Sequence, residues 1–123
     1  PERPGTQKLA GPTNVKTNVL YLAGTWDFSE EFAENKSAGA KITFRYQGKN
    51  VFFVASAPQG VNIKVLRDGV ALIESAGADV IKGILTVKED RLYEIVKDAN
   101  YGEHTLELII EDPGLRAYTF TFG

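Results

Sequence analysis

The chain has 123 residues, 14 basic against 16 acidic side chains, a formal net charge of −2 at pH 7 and a hydrophobic share of 43%. That is one domain's length with the composition of an ordinary water-soluble globular protein, enough to build a core without covalent staples. The charge balance excludes a global field that would draw the chain onto nucleic acid or an anionic membrane, and the absence of cysteine excludes thiol catalysis, disulfides, thiolate zinc sites and Cys-x-x-Cys redox chemistry within this chain.

A single histidine leaves a triad formally open and rules out a multi-histidine metal site. No apolar run reaches the roughly 18 residues of a membrane helix, so the chain itself is not expected to insert in a membrane. It begins at Pro1 and contains no methionine, and so reads as a domain of a longer protein or a processed product.

In chain order, residues 1–18 hold three of the five prolines (Pro1, Pro4 and Pro12) among polar residues, and read as an extended lead-in or linker. The domain proper is expected over residues 19–123. Residues 28–33 carry acids that would suit a helical turn, but the stretch is too short for a substantial helix, and strand or irregular structure is preferred there. Ile42, Phe44 and Tyr46 alternate with Lys41, Thr43 and Arg45, the period of a strand with one wet face. Val51 to Ala55 is a continuous apolar run after Gly48-Lys49-Asn50, so residues 40–57 are expected to form a hairpin with its turn at those three residues.

Val61, Ile63 and Val65 alternate with polar partners up to Asp68-Gly69, a strong hairpin signal because both positions tolerate positive φ, and residues 70–73 would return from it. Residues 75–80 are small and turn-like and suit a short helical turn or a loop over a sheet edge. Residues 84–87, 91–96 and 105–110 read as strands, with turns at Glu89-Asp90 and over 98–102. Asp112-Pro113-Gly114 is a turn, and Tyr118, Phe120 and Phe122 line one face of a terminal strand. About eight to ten short strands with no useful helical period predict an all-β fold, best met by an antiparallel jelly-roll-like β-sandwich.

Little in the chain suggests catalysis. His104 beside Glu103 reads as an edge-capping imidazole more readily than as a general base, and no serine stands in a nucleophile motif. Glu30, Glu31 and Glu34, or Glu89 and Asp90, form carboxylate groupings of the kind a glycosidase needs, yet acids beside strand ends ordinarily solvate turns. No enzyme activity, cofactor or metal is expected. A structural calcium at Glu111-Asp112 stays open, although no spaced array of oxygen ligands is evident.

Flat rings that stack on sugar C–H faces, with planar polar groups at the rim, are what a saccharide site requires. Tyr46 and Tyr118 share an inward face with Phe44, Phe120 and Phe122 and are assigned to the core. Trp26, after Gly24-Thr25 at a strand end, and Tyr101, in Asn100-Tyr101-Gly102, are less committed to packing. With Arg67 and Arg91 at strand ends, whose guanidinium forks suit hydroxyls and carboxylates, they are the candidate ligand-binding residues.

Tyr21-Leu22-Ala23-Gly24-Thr25-Trp26, Glu31-Phe32-Ala33-Glu34, Ala76-Gly77-Ala78-Asp79-Val80, Arg91-Leu92-Tyr93, His104-Thr105-Leu106-Glu107-Leu108 and the closing run from Pro113 to Gly123 occur in this order. Together they resemble the C-terminal domain of DipZ-type thioredoxin-like (redoxin) proteins, in which a membrane segment or signal anchor precedes a thioredoxin-like domain and then a β-sandwich. The resemblance implies a galactose-binding-domain-like, carbohydrate-binding-module-like jelly roll on an extracytoplasmic protein, in the periplasm or cell envelope. Its partners would be a carbohydrate or envelope ligand and the thioredoxin-like domain of the parent chain, which holds the paired cysteines missing here. The function expected is thus a non-catalytic accessory module. The alternative is a structural domain that packs on the thioredoxin-like domain or dimerises, with no small ligand.

Overall fold

The structure, a computed structural model, describes residues 5–12 and 14–123. Its strands are β1 (Gly5–Ala10), β2 (Leu20–Phe28), β3 (Ala33–Asn35), β4 (Ala40–Ser56), β5 (Val61–Arg67), β6 (Val70–Ala71), β7 (Val80–Ile81), β8 (Ile84–Val87), β9 (Arg91–Ile110) and β10 (Arg116–Phe122). Strands account for most of the described residues and no helix occurs among them, so the all-β expectation holds.

Two long strands decide the architecture. β4 and β9 pair antiparallel from Ala40↔Ile110 to Ala55↔Arg91. The first half of β4 and the second half of β9 are flanked by β2 and β5, while the second half of β4 is flanked by β10. These two halves face one another as layers: Phe44, paired with Leu20 in the first, has its ring 4.6 Å from that of Phe120 in the second.

At the crossing between layers the register slips, with residues 98–101 of β9 set against Lys49 alone. Such a bulge bends and twists the strand that carries it. The expected hairpin over residues 40–57 and the expected turn over 98–102 are both corrected by this. The turn-forming residues are there, but they serve a bend shared by two continuous strands. Gly48 is needed because the Gly123 backbone lies 3.1–3.2 Å from where a Cβ would stand, and the amides of Lys49 and Asn50 donate to the Gly123 carbonyl.

Other expectations are met locally. Asp68 and Gly69 have φ of 52° and 83°, a two-residue turn between β5 and β6 whose twist suits a hairpin. Lys82 and Gly83 make a second such turn, unanticipated, between β7 and β8. Residues 75–79 lie along the edge of β9, with the Gly77 amide donating to the Ile95 carbonyl. Within the segment read as a lead-in, Gly5–Ala10 is extended and pairs with β2, whereas residues 1–4 and 13 fall outside the described residues.

The core lies between the layers, where Ile42, Phe44, Phe53, Ile95, Leu106 and Leu108 are buried. Removing all but the methyl group from one of the phenylalanines would cost about 3–5 kcal/mol. β2 is shared between layers, since it pairs with β4 through Ala23 and with β3 from Trp26. Gly24, at φ 99°, makes that change of partner. A Cβ there would fall 2.9 Å from the Ala40 Cβ.

Candidate functional site

The strand alternation that sends Tyr46 inward sends Arg45 and Gln47 outward on β4, beside Glu103 and Thr105 on β9. Thr17 joins them through a parallel bridge to Arg45. The side chains hold one another: Arg45 Nε donates to Glu103 Oε2 at 2.7 Å and Arg45 Nη1 to Thr105 Oγ1 at 2.8 Å. Gln47 Nε2 donates to Glu103 Oε1 at 3.1 Å, and Thr17 Oγ1 to Glu103 Oε2 at 2.9 Å. Donors from Gln47, Arg45 and Thr17 lower the Glu103 carboxyl to about 2, so it is an anion at any physiological pH. Tyr101, two residues before Glu103 and on the same side of β9, is 65% exposed. An open ring two residues along the strand from a fixed rack of planar amide, guanidinium and carboxylate groups supplies the kinds of group a hydroxyl-rich ligand needs.

The four residues nominated from the sequence do not form one site. Trp26 is corrected outright: it is 0% exposed, with its indole N–H donating to the Ala23 carbonyl at 2.8 Å, so neither face meets solvent. Trp26 lies between β1 and β3, opposite Gln7 and Asn35, in the part of β2 beyond the close approach of Gly24 to Ala40. Arg67 continues the inward face of β5 after Ile63 and Val65, and binds Asp98 at 2.6 Å with the two side chains only 17% and 10% exposed. Burial alone would favour its neutral form, but the Tyr46 hydroxyl and Asp98 outweigh that and hold it charged. Arg67 thus fastens the Asp98 to Tyr101 bulge from beneath and is not free to reach a ligand.

Arg91 is spent differently. Its two terminal nitrogens grip Asp79 at 2.8 and 3.3 Å, and its guanidinium stacks 3.9 Å above the Tyr93 ring. It stands seven residues from Asp98 on β9, up to about 23 Å along the strand. Of the nominees, only Tyr101 presents itself, and Arg67 supports it through Asp98.

His104 donates from Nδ1 to Asp68 Oδ2 at 2.7 Å, and the other carboxylate oxygen accepts the Thr105 amide at 2.9 Å. Partial burial raises the Asp68 carboxyl, but the Thr105 amide and the imidazole prevail and lower it overall. The imidazole therefore ties the Asp68-Gly69 turn to β9. Near Glu111-Asp112, the Asp112 carbonyl accepts Asn35 Nδ2 at 2.9 Å, and Asn35 Oδ1 accepts the Leu115 amide at 2.7 Å. Buried Asn35, which sequence reasoning missed, holds that turn to β3. Among the described residues no grouping of three His, Asp or Glu side chains could hold a metal.

A second feature was also missed. Phe120 and Phe122 lie on an inner face against Phe44, while Tyr118, at a register shift in β10, has its ring 5.4 Å from that of Phe32, and the sandwich is open there. Leu20 is 44% and Phe122 37% exposed. Between β2 and β10 the layers part to leave a cleft of about 560 Å³, with Leu20, Leu22 and Ile42 on one wall, Phe120 and Phe122 on the other, and Glu30 and Glu31 at its lip. The assignment of Tyr118, Phe120 and Phe122 to a closed core is corrected accordingly. Alternation reveals which face a side chain occupies, not whether the opposite layer reaches far enough to cover it.

No curated protein sequence matches the chain. Among solved structures, the fold resembles part of a family two carbohydrate esterase from Clostridium thermocellum in complex with cellohexaose, at a TM-score of 0.64 and 17% identity over 80% of this chain and 29% of that one. An active-site mutant of a Clostridium thermocellum family two esterase matches 98% of this chain and 32% of its own, at 16% identity and a TM-score of 0.64. The Cellvibrio japonicus family two esterase matches 98% and 31%, at 16% identity and 0.55. The chain spans about a third of the length of these structures, and at such identities the likeness is one of fold. The sequence matches the family described as thioredoxin like C-terminal domain over residues 1–123, and the chain belongs to that family.

Proposed function

We propose that this chain is a non-catalytic accessory module of an extracytoplasmic thioredoxin-like protein of the DipZ type, and that it binds a glycan of the cell envelope at Tyr101. What supports this reading is the exposed Tyr101 ring two residues along β9 from Glu103, whose carboxylate is held by the ordered Arg45, Gln47 and Thr17 side chains. A sugar ring stacked on Tyr101 would have its hydroxyls within reach of groups already held in place, so little side-chain entropy is lost on binding. Cellohexaose, the ligand in one of the structurally similar esterases, is a natural first probe. A non-catalytic role is supported by the commitment of the His104 Nδ1 to Asp68 and by the lack of any thiol.

Calorimetric titration with cellohexaose and with envelope oligosaccharides tests the reading. Saturable binding is expected, weakened roughly tenfold by Tyr101→Ala, the loss of one stacking contact of about 1.5 kcal/mol. No binding at millimolar concentrations, or binding indifferent to Tyr101→Ala, would overturn it. A second reading, docking on the thioredoxin-like domain or dimerisation without a small ligand, is favoured by the open apolar cleft.

A further inference from the structure

The cleft between β2 and β10 has an unpaired strand as one wall. β3 is three residues long and pairs with β10 only at Arg116 and Ala117. From Tyr118 onward β10 has β4 on one side and no strand on the other among the described residues. The phase of the ladder identifies which groups are left. Gly123 and Asn50 exchange both of their amide bonds at 3.2 Å. Alternation along an antiparallel pair then turns Thr121 and Thr119 toward β4, and leaves the N–H and C=O groups of Phe120 and Phe122 at the free edge. The Phe120 carbonyl receives only a long 3.4 Å bond from Thr119 Oγ1.

We propose that this edge and cleft receive an extended segment of a partner polypeptide, added antiparallel to β10 in the line of β3, with apolar side chains at alternate positions and basic residues toward its C-terminal end. Three observations select that occupant. A row of donors and acceptors at strand spacing is matched by another polypeptide backbone, and not by a saccharide or an acyl chain. The side chains of such a strand that point inward would enter the cleft opposite Leu20 and Leu22, covering apolar surface that Leu20 and Phe122 now leave in water. A strand in the line of β3 runs as β3 does, so its C-terminal end meets the loop before Ala33. There Glu30 and Glu31 are exposed, with no ion-pair partner among the described residues. This inference is independent of glycan binding at Tyr101, and it gives the docking reading a definite surface and partner.

The test uses the whole chain and the capped heptapeptide VTVTIKK, with VTVTIEE as its charge-reversed control. The first peptide is expected to bind and to slow amide hydrogen exchange of Phe120 and Phe122 at least tenfold, while Thr119 and Thr121, already bonded to β4, change little. The acidic peptide is expected to bind at least tenfold more weakly, and the double variant Glu30→Lys, Glu31→Lys to reverse that preference. Leu20→Asp, at a half-exposed position and with its melting curve checked against that of the parent, should weaken both. Peptide binding without protection of Phe120 and Phe122 would overturn the proposal, as would equal affinity for the two peptides. So would protection of those amides by self-association alone, or an interaction with the thioredoxin-like domain that survives Leu20→Asp.

Discussion

Arg67 and Asp98 offer a sharp test of whether the polar end of the sandwich is scaffold or site. Asp98→Ala removes the partner of a guanidinium that sits on the inward face of β5, in a pair whose side chains are 17% and 10% exposed. Breaking such a pair from one side leaves an uncompensated buried charge and costs about 3–5 kcal/mol. A chain of 123 residues loses roughly 0.26 kcal/mol of stability per degree at its midpoint, so Tm should fall by about 12–19 °C. The double variant Arg67→Met, Asp98→Leu replaces the pair with apolar groups of similar size and should recover most of that loss. Tyr46→Phe can be added to it, because the buried Tyr46 hydroxyl faces Arg67 without a hydrogen bond of good geometry. Circular dichroism melts of the parent and of these variants, paired with saccharide titrations, separate the possibilities. The reasoning fails if Asp98→Ala melts within a few degrees of the parent, or if the double variant keeps its stability but loses saccharide binding. The second outcome would make Arg67 a ligand-contacting group after all.

The other predictions rest on separate features. Gly24→Ala meets both a positive φ and a 2.9 Å clash with Ala40 and should cost about 3 kcal/mol, whereas Gly60→Ala, at φ 80° with nothing within 4 Å, should cost only the backbone strain of about 1–2 kcal/mol. Equal losses in the two melts would remove the close approach from the account. Asp79 is lowered by Arg91, and Asp68 and Asp98 are lowered because their amide, hydroxyl, imidazole and guanidinium partners outweigh burial. With folded values below the ordinary 3.8, their contribution is complete above that pH and is lost as pH falls through the lower folded values. Urea midpoints should therefore drop below about pH 4, and less steeply in Asp98→Asn; an unchanged acid limb in that variant would show that Asp98 carries none of it. Since Trp26 is sealed in the core, its fluorescence should be blue-shifted and unmoved by saturating saccharide, and a ligand-dependent shift would place the site elsewhere.

The legible and illegible parts of this protein divide along a physical line. Ile42, Phe44 and Tyr46 revealed their inward face because a strand's side chains alternate whatever lies opposite. Asp68-Gly69 revealed a turn because positive φ is a local requirement. The same local logic misread Gly48-Lys49-Asn50 and residues 98–102, where turn-forming residues permit two neighbouring strands to bend together instead of reversing either one. Tyr101 stood out as exposed because it sits among those residues, while the burial of Trp26 and the pairing of Arg67 and Arg91 with acids were not legible as such because their surroundings come from distant parts of the chain.

Side-chain period and the residues that tolerate unusual backbone angles thus determined by themselves that this chain is an antiparallel β-sandwich, and its composition determined that it carries no thiol. The tertiary structure alone decided where the sandwich closes and where it stays open. Trp26 is buried where β2 runs between β1 and β3, Tyr101 is exposed at the β9 bulge, and the short reach of β3 leaves β10 uncovered. Burial and edge pairing are sums over residues far apart in the chain, and no local stretch carries them.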